Sequence, residues 1–404
     1  MDRAREGGIL VALMFAMVGC RASAPIPYAS YAPPKLVETP SEGYLGMVQI
    51  AKDIGIDNEA EVRLTSYTVP GKKRIFAELE TAIQRTETLL REPVRIAYEP
   101  IEPFSERPYR AEWRLLGRAI AWRAEYRGAV GDYDGAVRDV LTATRLGFFL
   151  TSGDAADASL GYSIIAASRK AMAPFLVRME PETLERLGRG LEGALVARPP
   201  IEVWVDHEHA SMKLAVDRIQ EWHRAGRLDL LREKLGPNAR EALAELASIR
   251  PESKKRAEYF DRLAERADSF ASDARTRGRL PLAEREPEPS YPFGRAKDRA
   301  ILRNFFGAPR YLLPVVDQEL ARTQLLAIEA LVLAQIKRAG AAPRSLEEFS
   351  ETLTLDPYSG DPFVYRADRA EYRLYSVGQD LKDDGGETDD LGTQPDLRWE
   401  GAGL

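Results

Sequence analysis

The chain has 404 residues, of which 44% are apolar and 30% charged, so it is long enough for two or three domains and able to bury a core, which excludes disorder throughout. Its net charge of −6 is carried by one stretch: from Gly378 to Leu404 eight acids stand against Lys382 and Arg398, and the rest is balanced. A balanced body without a basic block excludes a nucleic-acid partner, whose phosphates require clustered Lys and Arg.

The first residues place Arg3 and Arg5 before an unbroken apolar run, Ile9 to Val18, that ends in Gly19-Cys20. Ten apolar residues are too few to cross a bilayer, which takes about 20, but they suit the apolar region of a secretory signal. The segment Met17-Val18-Gly19-Cys20 resembles the lipobox of bacterial lipoproteins, with Met17 where leucine is commoner. The resemblance implies that residues 1–19 are a cleaved signal peptide. It also implies that Cys20, the one cysteine of the chain, is acylated and anchors the protein to a membrane of the bacterial envelope, facing the periplasm or the exterior. With no second cysteine there is no internal disulfide, so a packed core must hold the body. Residues 20–40 contain five prolines, which remove backbone donors and favour extended shapes. They read as a semi-extended tether.

Residues 41–274 read as an α-helical domain. In KKRIFAELETAIQRTETLLRE, Ile75, Leu79, Ile83 and Leu89 recur near one face with no glycine or proline between them, predicting one continuous core-facing helix. In Glu112 to Gly147, Trp113-x2-Leu116-Gly117 and then Gly131-Asp132-Tyr133-Asp134-x-Ala136 resemble the two helices of a tetratricopeptide pair. The two fragments are out of register by seven residues, and no second copy follows at a period of about 34. The expectation is a degenerate helix pair, with a protein-binding surface on this domain as the functional alternative.

His207 and His209 beside Asp206 and Glu208 invite a metal reading. The proline pair Pro199-Pro200 followed by a long proline-free run predicts a helix, and residues two apart on a helix point about 200° from each other. A surface helix is therefore expected rather than a shared ion. Gly188-x-Gly190-x-x-Gly193 falls inside a helical pattern, not between a strand and a helix, which excludes a dinucleotide loop. No nucleophile elbow or phosphate-loop lysine motif is present, and the chain reads as non-enzymatic.

Residues 275–294, with four prolines and mixed charge, predict a linker, and residues 295–404 a small α+β module. In that module a helix is expected to start near Pro314, in its first turn, with a stripe of Leu325, Ile328, Val332 and Ile336. Ser345 with Glu348 predicts a capping box for a short second helix. Asp356-Pro357 and Ser359-Gly360 mark a turn, and the alternation in PFVYR and YRLYSV around ADRAE predicts a β-hairpin. The fold class is thus mainly α, a tetratricopeptide-like helical domain followed by a module with a short antiparallel sheet.

The ordered series Asp356-Pro357, Gly360, Pro362-Phe363-x-Tyr365, then Tyr375-Ser376-Val377-Gly378-Gln379-Asp380, then Asp389-Asp390-Leu391 resembles the C-terminal region of the major pseudopilin of type II secretion systems. It covers about Leu320 to Trp399. The resemblance implies a Ca2+ loop in which Asp380, Asp389 and Asp390 supply carboxylates and Leu374 and Ser376 backbone oxygens. A hard cation suits such clustered acids, and glycines let carbonyls turn inward. An EF-hand is excluded, because Lys382 would fall at its third ligand position. The alternative is a solvated acidic tail. The chain lacks the filament-forming apolar helix of a pseudopilin joined to this module, so the expected role is a binding or structural envelope lipoprotein. An accessory of a type II secretion or pilus-like machine and an envelope hydrolase are the alternatives.

Overall fold

A computed structural model describes residue 36 and residues 39–55, 68–100, 107–235, 239–286, 308–386 and 396–398. Helix α1 (Glu42–Ile54) opens on Ser41, whose side chain accepts from the Tyr44 N–H at 3.1 Å. The predicted helix over residues 72–92 is two: α2 (Val69–Glu78) and α3 (Glu80–Leu89) meet at Leu79, whose φ of −90° and ψ of 7° end one and begin the other. Ile75, Leu79 and Ile83 are buried as the spacing predicts, but Leu90 replaces Leu89 in the core. No glycine or proline marks the break.

The degenerate pair is α4 (Arg110–Ala129) and α5 (Tyr133–Leu150). The turn between them is set by Gly131, at a φ of 86°, and by Asp132, which caps α5 through the Gly135 N–H at 3.0 Å. Across the pair, buried Arg123 grips Asp139 through Nε and Nη2 and reaches Glu80 with Nη1 at 2.6 Å. Arg127 also reaches Asp139, at 3.0 Å. Each charge removed from water here has a hydrogen-bonded partner, the condition for tolerating it. Helix α6 (Ala155–Met172) packs on both, and Gly147 of α5 and Gly161 of α6 let the two backbones touch.

Helix α7 (Pro181–Ala197) carries the G-x-G-x-x-G residues inside it, as expected. Pro199 and Pro200 end it and open α8 (Ile201–Arg224), since proline neither continues a helix nor hinders a first turn. Helices α9 (Leu228–Leu235), α10 (Ala239–Ala247) and α11 (Lys254–Gly278) follow, with α11 running alongside α8. Met212, Ile219, Phe260 and Leu263 form a separate apolar cluster between α8 and α11.

The described part of the predicted linker, residues 275–286, is built into the fold, and residues 287–294 lie outside the described residues. Residues 275–278 belong to α11, and the short 3-10 turn Leu282–Glu284 is held by two backbone bonds, Leu282 N–H to the Pro357 carbonyl at 3.1 Å and Ala283 N–H to that of Tyr358 at 2.8 Å. Pro281 follows the helix without freeing the chain, because the next two N–H groups find the Pro357 and Tyr358 carbonyls.

Helix α12 (Ala308–Ala339) begins earlier than predicted, with Pro314 inside it rather than in its first turn. Nor does it show a single stripe: Leu325, Leu326, Ala327, Ile328, Ala330, Val332 and Ala334 are all buried. The helix is the central rod of the molecule, packed by α6 and α7 on one side and by α13 (Glu351–Thr354) and the hairpin on another. A helix apolar all round is one enclosed all round. One apolar core therefore spans residues from Ala124 to Leu374, joining the 41–274 and 295–404 segments. Ser345 caps a 3-10 turn, Leu346–Glu348, by accepting from Glu347 N–H, in place of the predicted capping box.

The hairpin is as predicted. Strands β1 (Val364–Asp368) and β2 (Glu371–Tyr375) pair antiparallel, Val364 with Tyr375 and Asp368 with Glu371, around a turn in which Arg369 takes a φ of 59°. No helix among the described residues is long and apolar enough to cross a membrane.

Candidate functional site

Where the α7–α8 corner, the end of α11, α12 and the Asp356-Pro357 turn meet, they leave a cavity of about 570 Å³. Local sequence shapes each wall. The proline corner turns the chain sharply, and Gly278 lets the end of α11 approach Ile201. Gly360, at a φ of 79°, lies so close to the 3-10 segment that a Cβ there would stand 2.8 Å from Pro281 Cγ. The Asp356 carboxylate fixes the turn: Oδ1 accepts from Tyr358 N–H at 2.9 Å, and Oδ2 from Ser376 Oγ at 2.7 Å and Val377 N–H at 3.2 Å. Burial pushes the Asp356 carboxyl above its ordinary range, and these three donors counter it.

Two arginines of the walls are committed. Arg285 forks onto Asp317 at 2.5 and 2.7 Å, and Arg279 pairs with Glu202. Arg198 differs: its Nη1 donates to the Leu195 carbonyl at 3.2 Å, and among the described residues it makes no ion pair. Val316, Leu320 and Leu355 provide apolar surface beside these charges.

Two neutral side chains of the lining are buried. Gln324 of α12 is 7% exposed, and its Nε2 donates to the carbonyls of Thr352, at 2.7 Å, and Leu355, at 3.0 Å. Those two acceptors fix which end of the amide is nitrogen, so Oε1 is an acceptor, and it has no hydrogen-bond partner. Tyr162 of α6 is 4% exposed, and no described residue hydrogen-bonds its hydroxyl. Burial raises the phenol far above its ordinary value, so it is protonated. The lining mixes apolar side chains with three arginines and the four carboxylates of Glu202, Asp317, Glu351 and Asp356.

The residues named by the pseudopilin resemblance lie on the other side of the same turn. Ser376 is buried, its Oγ is spent on Asp356, and its backbone exchanges two 2.9 Å bonds with Leu397. Leu374 is buried in β2 opposite Tyr365. Asp380 is exposed, accepts from Lys382 N–H at 3.1 Å and stands 3.6 Å from the Lys382 Nζ. Asp389, Asp390 and Cys20 lie outside the described residues. Among the described residues no three His, Cys, Asp or Glu side chains converge as metal ligands do.

Two acids that the pseudopilin pattern does not name, Asp383 and Asp396, organise this loop. Asp383 accepts from the Tyr375 hydroxyl at 2.6 Å and Gly385 N–H at 3.0 Å, and pairs with Arg366. Asp396 is 3% exposed; Gly386 N–H donates to its Oδ2 at 2.6 Å, while its Oδ1 is buried without a partner. Burial, then the charges of Asp383 and Asp384, raise the Asp396 carboxyl. An oxygen donor buried among acids is chemistry that suits a hard cation.

The histidines sit on a helix as expected, but both are buried rather than on its surface. They point apart: His207 meets the Tyr98 ring edge-on at 5.5 Å, and His209 Nε2 lies 2.7 Å from Asp268 of α11. Burial, with Arg107 nearby, lowers His207 to about 4. Beside it is a polar cluster without a sequence motif. Asp154 and Asp157 form a capping box at the start of α6, Arg110 spans both, and Arg107 lies 2.7 Å from Asp157. Glu208 accepts from the Ala155 N–H at 3.2 Å, and burial next to Asp154 raises it to about 7.

Comparison with protein-family models, with curated proteins and with solved structures finds no match.

Proposed function

We propose that the protein is a non-enzymatic envelope lipoprotein that binds a small ligand in the cavity walled by both its helical body and its hairpin module. The observation that carries this reading is the cavity of about 570 Å³ itself, at whose wall Arg198 makes no ion pair among the described residues. The anchor is Cys20, acylated after removal of residues 1–19, with residues 20–40 as the tether.

Ca2+ belongs to the same proposal as a stabiliser of the acidic loop. Asp380, Asp389 and Asp390, from the resemblance, and Asp396, from its buried unpartnered oxygen, would hold it, and the ion would offset the repulsion among these acids.

Two experiments test the reading. A Cys20→Ser chain is expected to leave the membrane fraction that the natural chain occupies; equal fractionation of both counts against the anchor. In a thermal-shift survey of sugars, nucleotides, peptides and amino acids, one class is expected to raise the melting temperature of the natural chain but not of Leu320→Trp, which narrows the cavity. A survey without any such shift counts against the ligand site.

A further inference from the structure

We propose that the arginine cluster of Arg91, Arg138 and Arg145 binds a phospholipid phosphate, so that the face built from α1, α3 and α5 docks on the membrane to which Cys20 tethers the body. This rests on the reading of Cys20 as a lipid anchor and adds the surface that meets the bilayer.

Three cations here share one acid. Arg91 Nη2, just past α3, and Arg138 Nε of α5 stand 3.9 and 4.0 Å from the same Glu87 oxygen, beyond hydrogen-bond reach. Arg145, two turns after Arg138 on α5, is half-buried and has no ion pair or side-chain hydrogen bond among the described residues. Burial pushes the Arg145 guanidinium below its ordinary value, Glu87 opposes this, and the charge of Arg91 adds to it. Asp134, one turn before Arg138, is spent on Thr183 and on Arg186 at 2.8 Å. Other arginines of the body are matched: Arg110 and Arg123 each hold two carboxylates at 2.9 Å or less. Three guanidinium groups against one loosely held carboxylate leave an excess that an anion offsets. Two of the forks lie within 4.0 Å of one atom, close enough to share one phosphate, which offers several oxygens at once.

Place selects the source of that phosphate. The first turns of α1, where the chain from Cys20 enters the body, lie against the stretch that follows α3. A Cβ on Gly43 would stand 2.7 Å from Val94 Cγ2, and one on Gly46 2.8 Å from Leu89 Cδ1. The same stretch is tied to the end of α5, since Ile96 N–H donates to Ser152 Oγ at 2.8 Å. The tether's entry and the arginines are thus neighbours in the fold. Arg95 is exposed there, but so are Glu42 and Glu92, so the attraction is to a phosphate seated among the arginines rather than to surface charge at large. At about 3.1 Å per residue, residues 20–40 reach about 65 Å, which leaves the body free to turn. The tether also holds the cluster at an effective lipid concentration of order millimolar, so a weak contact suffices to set the orientation.

Vesicle co-sedimentation of the full Cys20→Ser chain tests this, with phosphatidylcholine alone and with phosphatidylglycerol added. Arg138→Gln with Arg145→Gln is expected to weaken binding to the anionic vesicles about tenfold, or about 1.4 kcal/mol, and to leave binding to the neutral ones and the melting temperature unchanged. Residues 1–40 are the same in both chains, so their own contribution does not enter the difference. Glu87→Gln, which removes the one carboxylate of the cluster, is expected to strengthen binding to the anionic vesicles several-fold. Equal affinity of the double arginine variant and its parent for anionic vesicles overturns the proposal, as does equal or weaker binding by Glu87→Gln. A melting temperature raised by inorganic phosphate in a chain that no vesicle binds also overturns it, and makes the cluster a site for a free anion. The anchor stands or falls separately, on the fractionation of the natural and Cys20→Ser chains.

Discussion

Arg285 and Asp317 face each other as a fork on a fork, with Nη1 to Oδ2 at 2.5 Å and Nη2 to Oδ1 at 2.7 Å, and each side chain is 5% exposed. The pair ties the segment after α11 to the first half of α12, and so fixes one wall of the cavity. Burial raises the Asp317 carboxyl although Arg285 opposes it, a measure of how costly this charge would be alone. Removing one partner, by Arg285→Met, is expected to destabilise the fold by about 3–5 kcal/mol. The double change Arg285→Met with Asp317→Leu is expected to recover most of that. Denaturant midpoints of the four chains measure it, and a double variant no better than the single one counts against the pair's isolation from water.

The α5–α6 crossing depends on two glycines. A Cβ on Gly147 would stand 2.6 Å from the Gly161 carbonyl oxygen, and one on Gly161 would meet the Gly147 carbonyl in return. Backbone cannot swing aside as a side chain end does. Gly161→Ala gains about 1 kcal/mol of helix propensity but forces the helices apart, a strain of about 1–3 kcal/mol or more. A lowered melting temperature is the expected outcome. Gly193→Ala, where an added Cβ meets nothing within 4 Å, is the control and should be neutral or stabilising.

The Glu208–His207 region sets a pH dependence with two opposing signs. Glu208 is raised from 4.5 to about 7, so the folded chain holds a proton the unfolded chain has lost. Its contribution is full below about 4.5 and disappears as pH rises through 7. His207 is lowered from 6.5 to about 4, so its contribution is full above 6.5 and disappears as pH falls through 4. Glu208→Gln is expected to abolish the loss of stability between pH 5 and 8, leaving the His207 branch at low pH. Thermal melts over that range check it; an unchanged profile in the variant removes Glu208 as the titrating group.

The acidic loop predicts a metal response. Millimolar Ca2+ is expected to raise the melting temperature of the whole chain and EGTA to reverse it, with a ligand at 100 times its Kd worth about 2.7 kcal/mol. Asp380→Ala should abolish the difference, and Asp396→Asn should reduce it. Melting curves that coincide over this range of Ca2+ count against the ion.

Several elements were legible in the sequence because local rules decide them. The proline corner, the helical setting of Gly188, the Asp132 cap and the ADRAE hairpin each follow from the chemistry of a few neighbouring residues. The long helix was legible as a helix but not as a central rod. Its apolar residues continue past the predicted stripe to Leu326, Ala330 and Ala334, all buried, and that excess was the available signal. Residues 275–286 of the predicted linker are bound into the fold for a different reason: proline content reports the end of a helix, not whether the next N–H groups find partners. Those partners, at Pro357 and Tyr358, lie more than seventy residues away. Nothing in the sequence joins Tyr162 to Gln324 or Glu208 to Ala155, since long-range packing alone brings them together. A polar Gln324 between Leu320 and Ile328 is the faint sequence mark of the cavity.

Native mass spectrometry of the full chain, extracted from membranes in a mild detergent, tests the ligand-binding lipoprotein most directly. The natural chain is expected to carry a diacylglyceryl-type mass on Cys20 and, in addition, a dissociable small ligand that Leu320→Trp lacks while retaining the lipid. A natural chain and a Leu320→Trp chain that differ only by the mass of the substitution, both bare or both loaded, would contradict it.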